Sequence, residues 1–147
     1  MHRRTLLKHL AGFMTLLALR PLSAAQANRP AFEAKTLDEA LKSLGASGAS
    51  ESRDIVIKAP DIAEDGAIVP IEVTSKIADT QSISLLVDRN PFPLIATYDF
   101  ANGAEGFVAT RIKMGETSKV RALVSAGGKL YTTSKEIKVT IGGCGES

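Results

Sequence analysis

Val69-Pro70-Ile71-Glu72-Val73-Thr74 sets an apolar side chain at every second position, with Pro70, Glu72 and Thr74 between. A period of two puts Val69, Ile71 and Val73 on one face of an extended chain, so the stretch predicts a half-buried β-strand. The same period recurs along the chain. Ile55 and Ile57 alternate with Val56 and Lys58; Ile83, Leu85 and Val87 with Ser82, Ser84 and Leu86; Leu94, Ala96, Tyr98 and Phe100 with Ile95, Thr97 and Asp99. Val108, Thr110, Ile112 and Met114 follow, then Val120, Ala122 and Val124, and last Ile137, Val139 and Ile141 against Lys138 and Thr140. Turn sequences separate the runs: Ala59-Pro60-Asp61, Glu64-Asp65-Gly66, Asn90-Pro91-Phe92-Pro93, Asn102-Gly103, Met114-Gly115-Glu116 and Gly127-Gly128. Seven short strands in about 90 residues predict an all-β fold, an antiparallel β-sandwich of immunoglobulin-like type over residues 54–141. A small barrel is the competing architecture.

Upstream the period changes. Leu37, Ala40, Leu41 and Leu44 share one face at helical spacing, and Thr36 with Glu39 forms a capping-box pattern, so Thr36 to Leu44 predicts a short amphipathic helix stopped by Gly45. Residues 28–35 read as an extended, proline-containing lead-in. Residues 45–53, Gly-Ala-Ser-Gly-Ala-Ser-Glu-Ser-Arg, read as a flexible linker.

Residues 1–27 have the composition of an export signal. Arg3, Arg4 and Lys8 make a basic start, Leu10 to Leu19 is apolar, Pro21 breaks the run, and Ala25-Gln26-Ala27 offers a small-residue cleavage site. The apolar run is shorter than the roughly 20 residues that a membrane-spanning helix needs. Arg3-Arg4-Thr5-Leu6-Leu7-Lys8 resembles a twin-arginine signal, with general secretory export as the alternative. Either route places the mature protein in a periplasm. Cleavage after Ala27 removes four of the 18 basic residues and none of the 16 acidic ones. The remaining 120 residues therefore carry 14 basic and 16 acidic side chains, and both histidines, His2 and His9, are gone.

This inventory excludes most chemistry. Without histidine, neither a Ser/His/Asp nor a Cys/His nucleophile can be assembled, and the usual zinc, copper and haem sites lack ligands; no cofactor and no metal are expected, nor an enzyme activity. There is no phosphate loop and no dinucleotide fingerprint. The weak charge and 5% aromatic content, with no Trp, argue against a nucleic-acid surface. Glu64 and Asp65 lie in turn sequence and read as solvated.

The exception is the end of the chain, Ile141-Gly142-Gly143-Cys144-Gly145-Glu146-Ser147. Cys144 is the only cysteine, so no intramolecular disulfide can form. Its glycine neighbours give it nothing to pack with, which fits a buried apolar thiol badly. An incidental thiol on a tail is the other plain reading, although an exposed thiol is a liability in an oxidising compartment. If Ile141 is the last anchored residue, Cys144 reaches roughly 10 Å beyond it at ~3.3–3.6 Å per residue. Gly142, Gly143 and Gly145 would form a thin, rotating arm over residues 142–147. Glu146 and the terminal carboxylate disfavour the thiolate, so activation is expected from partner enzymes.

The Gly142-Gly143-Cys144-Gly145 tail, the export signal and the sandwich together resemble the SoxY family of sulfur carriers. Asn90-Pro91-Phe92-Pro93 and Arg111-Ile112-Lys113-Met114, with Ser118 and Val120 downstream, are similar too. Taken by themselves, the first is a proline-fixed turn, and Arg111 and Lys113 read as a solvated strand face. The resemblance implies Cys144 as the site of covalent sulfur attachment. It implies a heterodimer with a SoxZ-like subunit. It further implies three partner enzymes: a c-type cytochrome that couples thiosulfate, a hydrolase that releases sulfate, and a sulfur dehydrogenase. The family's tail closes with Gly-Gly after the cysteine; here it is Gly145-Glu146-Ser147. From the residues alone, an immunoglobulin-like interaction module with an intermolecular disulfide at Cys144 is the alternative.

Overall fold

The computed structural model describes residues 28–101 and 103–141. The segment read as an export signal (1–27) and the expected arm with Gly142, Gly143, Cys144 and Gly145 lie outside the described residues.

The described chain opens with a helix where an extended lead-in was expected. Helix α1 spans Arg29–Glu33, with Pro30 in its first turn and the Asn28 carbonyl accepting from the Ala31 and Phe32 N–H groups. Proline obstructs a helix interior, but in the first turn its missing N–H is no loss and its φ is already set. Helix α2, Leu37–Ser43, has the predicted capping box: Glu39 N–H donates to Thr36 Oγ1 at 3.3 Å, and Thr36 N–H donates to the Glu39 carboxylate at 3.3 Å. Gly45 follows at φ +68°, a left-handed stop that other residues reach at a cost.

Two sheets follow. The smaller has the order β2-β4-β7, from Ile55–Lys58, Val69–Ser75 and Phe107–Ile112, antiparallel throughout. The larger runs β9-β8-β5-β6, from Lys129–Ile141, Ser118–Ala126, Thr80–Val87 and Leu94–Asp99, also antiparallel. Two short strands add to the free edge of β9 in parallel: β1 (Ser50–Glu51) beside Tyr131 and Thr132, and β3 (Ile62–Asp65) beside Lys138 to Ile141. The architecture is the immunoglobulin-like sandwich, with separate sheets and not a barrel, but with nine strands among the described residues where seven were expected.

The differences have local causes. Part of the segment read as a flexible linker is β1, held also by Ser52 N–H on the Thr132 carbonyl at 3.0 Å. Strand β3 lies between two turn signals, and its Glu64 and Asp65 belong to the strand. Strand β9 begins at Lys129, eight residues before the run that announced it. Its Thr133 and Lys135 pair with Ala122 and Val120, on the face that points inward. Lys135 stays on that face by sending its ammonium to the sheet edge, where Nζ donates to the Ala59 carbonyl at 2.6 Å and meets Asp61 at 3.0 Å.

The main core lies between the sheets. Val69, Ile71, Val73, Val108 and Ile112 of the small sheet face Ile83, Leu85, Val87, Val120, Val124 and Ile137 of the large one. The large sheet is covered on its second face as well. Leu86, Leu94 and Leu123 pack there with Ala31, Ala34 and Ala40 of the helical segment. Coverage on both faces explains why Ile83 to Val87 are all buried, where a one-sided strand would alternate.

Candidate functional site: the root of the C-terminal arm

Strand β9 is the path to Cys144, and its last described residue, Ile141, is anchored. Ala63 and Asp65 of β3 flank Val139 and Ile141 in register. The Gly66 N–H donates to the Ile141 carbonyl at 2.8 Å, and Thr140 Oγ1 donates to the Glu64 carbonyl at 2.9 Å. On the other side, the Val139 N–H donates to Thr117 Oγ1 at 2.9 Å. That bond replaces the β8 ladder, whose pairing with β9 ends at Ser118 and Ile137.

The β7–β8 connection, residues 113–117, joins these anchors. Met114 is fully buried, and its N–H donates to the Gly66 carbonyl at 2.7 Å. Gly66 thus links the arm's strand to this loop through both of its backbone groups. The loop is tied in turn to the β5–β6 connection. Asn90 Nδ2 donates to the Lys113 carbonyl at 2.8 Å, and the Gly115 N–H donates to Asn90 Oδ1 at 3.1 Å.

This end of the sandwich therefore collects the turn after β3, the β5–β6 and β7–β8 connections and the end of β9. Ile62, Ile68, Phe92 and Ile141 are exposed around it, as are Arg89, Lys113, Glu64 and Glu116. The described residues contain no histidine or cysteine, and no group of three or more metal-ligating side chains occurs among them. An open groove of about 850 Å³, lined by Ser75, Thr80, Phe100 and Phe107, lies at the opposite end of the sheets.

Of the segments singled out in the sequence, Asn90-Pro91-Phe92-Pro93 and Arg111-Ile112-Lys113-Met114 meet at the arm root, joined by the Asn90 side chain. Arg111 and Lys113 are exposed, Ser118 is buried and accepts the Arg89 N–H at 3.0 Å, and Val120 is core. Thr117, Gly66 and Asn90 carry the anchoring, and sequence reasoning did not assign it to them. Only Asn90 and Gly66 gave a signal, as turn residues.

Among the described residues, no helix is long and apolar enough to cross a membrane. No curated protein matches the chain. The chain is similar to the sulfur carrier protein SoxY from Chlorobium limicola f thiosulfatophilum, at 39% identity and a TM-score of 0.65, over 72% of this chain and 97% of that one. A superoxide reductase (neelaredoxin) from Ignicoccus hospitalis matches at 20% identity and a TM-score of 0.51, over 59% of this chain and 80% of that one, a likeness of fold alone. The profile of the sulfur oxidation protein SoxY matches residues 41–144, a span that takes in β1 to β9 and ends on the single cysteine, and the chain belongs to the SoxY family.

Proposed function

We propose that the chain carries sulfur intermediates covalently on Cys144 and presents them to partner enzymes in a periplasm. Family membership supports a sulfur-carrier role. The observation that carries the finer reading is the anchoring of β9 up to Ile141, three residues before Cys144. A thiol there has roughly 10 Å of reach from a fixed point, enough to enter a cleft while the sandwich stays outside.

The chemistry follows from one thiolate. It couples with thiosulfate to give Cys144–S–S–SO₃⁻, and the two electrons released pass to a c-type cytochrome enzyme. Hydrolysis of the outer sulfur–sulfur bond then releases sulfate and two protons and leaves the persulfide Cys144–S–S⁻. A sulfur dehydrogenase oxidises that outer sulfur with three waters to Cys144–S–SO₃⁻, releasing six protons and passing six electrons to a cytochrome acceptor, and a second hydrolysis releases sulfate and a proton and frees the thiol again. A SoxZ-like subunit completes the carrier. No residue of the mature chain is a histidine, so the proton transfers belong to the partners.

Mass spectrometry of the protein from cells grown on thiosulfate tests this. Sulfonate-bearing adducts on Cys144, absent from Cys144→Ser, are expected. A thiol found only in a disulfide-linked dimer, unchanged by thiosulfate supply, would overturn the reading.

A further inference from the structure

We infer that Asn90 is the positioning residue of the carrier arm, setting where the arm leaves the sandwich; this rests on the carrier reading. Asn90 acts through the β7–β8 connection. Its amide bridges the two sides of the β7–β8 connection, accepting from the Gly115 N–H and donating to the Lys113 carbonyl. Both bonds fix the amide's orientation, since the flipped amide would set Nδ2 against an N–H and Oδ1 against a carbonyl.

Between Lys113 and Gly115 sits Met114, whose N–H holds Gly66, whose N–H holds Ile141. Two residues past Gly115, Thr117 holds Val139. One side chain therefore sets a five-residue loop that holds the arm's strand at two points, Val139 directly through Thr117 and Ile141 through Gly66. Pro91 follows Asn90, and Pro93 is fully buried with its carbonyl accepting the Val87 N–H at 2.8 Å, so the turn that presents Asn90 is itself stiff. Aspartate could keep the bond from Gly115 but not the one to Lys113, and alanine could keep neither.

Ile141 is the last described residue before Cys144, so the accuracy of delivery depends on where this root stands. A misplacement of about 1 Å at a reacting centre can cost up to a hundredfold in rate. The test uses the mature chain with its partner subunit and compares wild type, Asn90→Ala, Asn90→Asp and the core variant Val124→Ala. Loading of Cys144 with thiosulfate by the partner enzyme is measured against the reaction of Cys144 with a small aromatic disulfide, together with amide exchange at Gly66 and Met114.

Asn90→Ala is expected to lower enzymatic loading about tenfold, through kcat more than KM, with the small-reagent rate unchanged. Exchange at Gly66 and Met114 should rise in that variant. Asn90→Asp should fall between, and Val124→Ala should lose stability while loading normally. Wild-type loading matched by Asn90→Ala overturns the role of Asn90 alone. Wild type that is never loaded at Cys144 overturns the carrier reading, and this inference with it.

Discussion

Gly66 donates its backbone N–H to the Ile141 carbonyl across 2.8 Å, while its own carbonyl takes the Met114 N–H at 2.7 Å. These two bonds lock the last described residue of β9 to a fully buried methionine through a single buried glycine. The strand that leads to Cys144 is therefore firm up to the point where the glycines begin. The anchoring therefore extends to three residues before the cysteine.

The second grip, Thr117 Oγ1 on the Val139 N–H at 2.9 Å, stands where the β8 ladder has run out. Thr117→Val keeps the shape and β-propensity and removes the acceptor. Unfolding in urea is expected to show a loss of about 1 kcal/mol, the ordinary value for one such bond at a part-buried site. Amide exchange should accelerate more at Val139 than at Val124, whose core amide reports global opening. Equal protection at Val139 in both proteins would mean that the bond adds nothing.

Arg121 and Asp88 form a forked pair on the helix-covered side of the large sheet, Nη2 to Oδ2 at 3.1 Å and Nε to Oδ1 at 3.3 Å, with side chains only 21% and 19% exposed. A double-mutant cycle with Arg121→Met and Asp88→Asn is expected to give a coupling of about 1 kcal/mol, the upper end for such pairs. Raising the salt concentration should weaken it little. The Arg29–Glu33 pair, 80% and 70% exposed, should show no resolvable coupling at physiological ionic strength.

Much of this architecture can be read from the chain, and the gaps have reasons. Strands such as Val69–Ser75 announce themselves because one face is buried and the other wet. Helix α2 does so because Thr36 and Glu39 cap it by local bonds. Strand β1 is two residues long and too short to show a period, and the inward side of β9 carries Thr133 and Lys135, so its alternation is hidden. At the arm root, Asn90 and Lys113 are 23 residues apart, and no local pattern records their bond. Cys144 stands out in the sequence because it is single and set among glycines. Its platform does not, because tertiary hydrogen bonds build it.

Gly106 lies at the far end of the sandwich, before β7. Its carbonyl takes the Ser75 N–H at 2.7 Å, and an added Cβ would sit 3.0 Å from Ser75 Cβ, 3.1 Å from Thr80 Cγ2 and 3.2 Å from the Ser75 carbonyl oxygen. These neighbours have little room to yield, because the Ser75 and Thr80 hydroxyls bond each other at 2.7 Å. Gly106→Ala is expected to cost about 1–2 kcal/mol in thermal or urea unfolding, in the range of overpacking in a tight site. Loading of Cys144 should be unaffected. A change in loading comparable to that of Asn90→Ala would show that stability anywhere in the sandwich, and not the arm root, governs delivery.

Glu146 follows Gly145, so a carboxylate side chain stands two residues from the thiol in the chain. That carboxylate repels an approaching anion, and thiosulfate is one. At about 7 Å in water, one unit charge on another is worth about 0.6 kcal/mol, or roughly a twofold to threefold change in rate. Glu146→Gln removes that charge and leaves size and backbone almost unchanged. Its thiol should react about twice as fast with an anionic aromatic disulfide at low salt and no faster with a neutral one. The advantage should fade as ionic strength rises, because the Debye length is about 8 Å at 0.15 M. An equal gain with both reagents would point to access and not charge as the way in which Glu146 acts on the thiol.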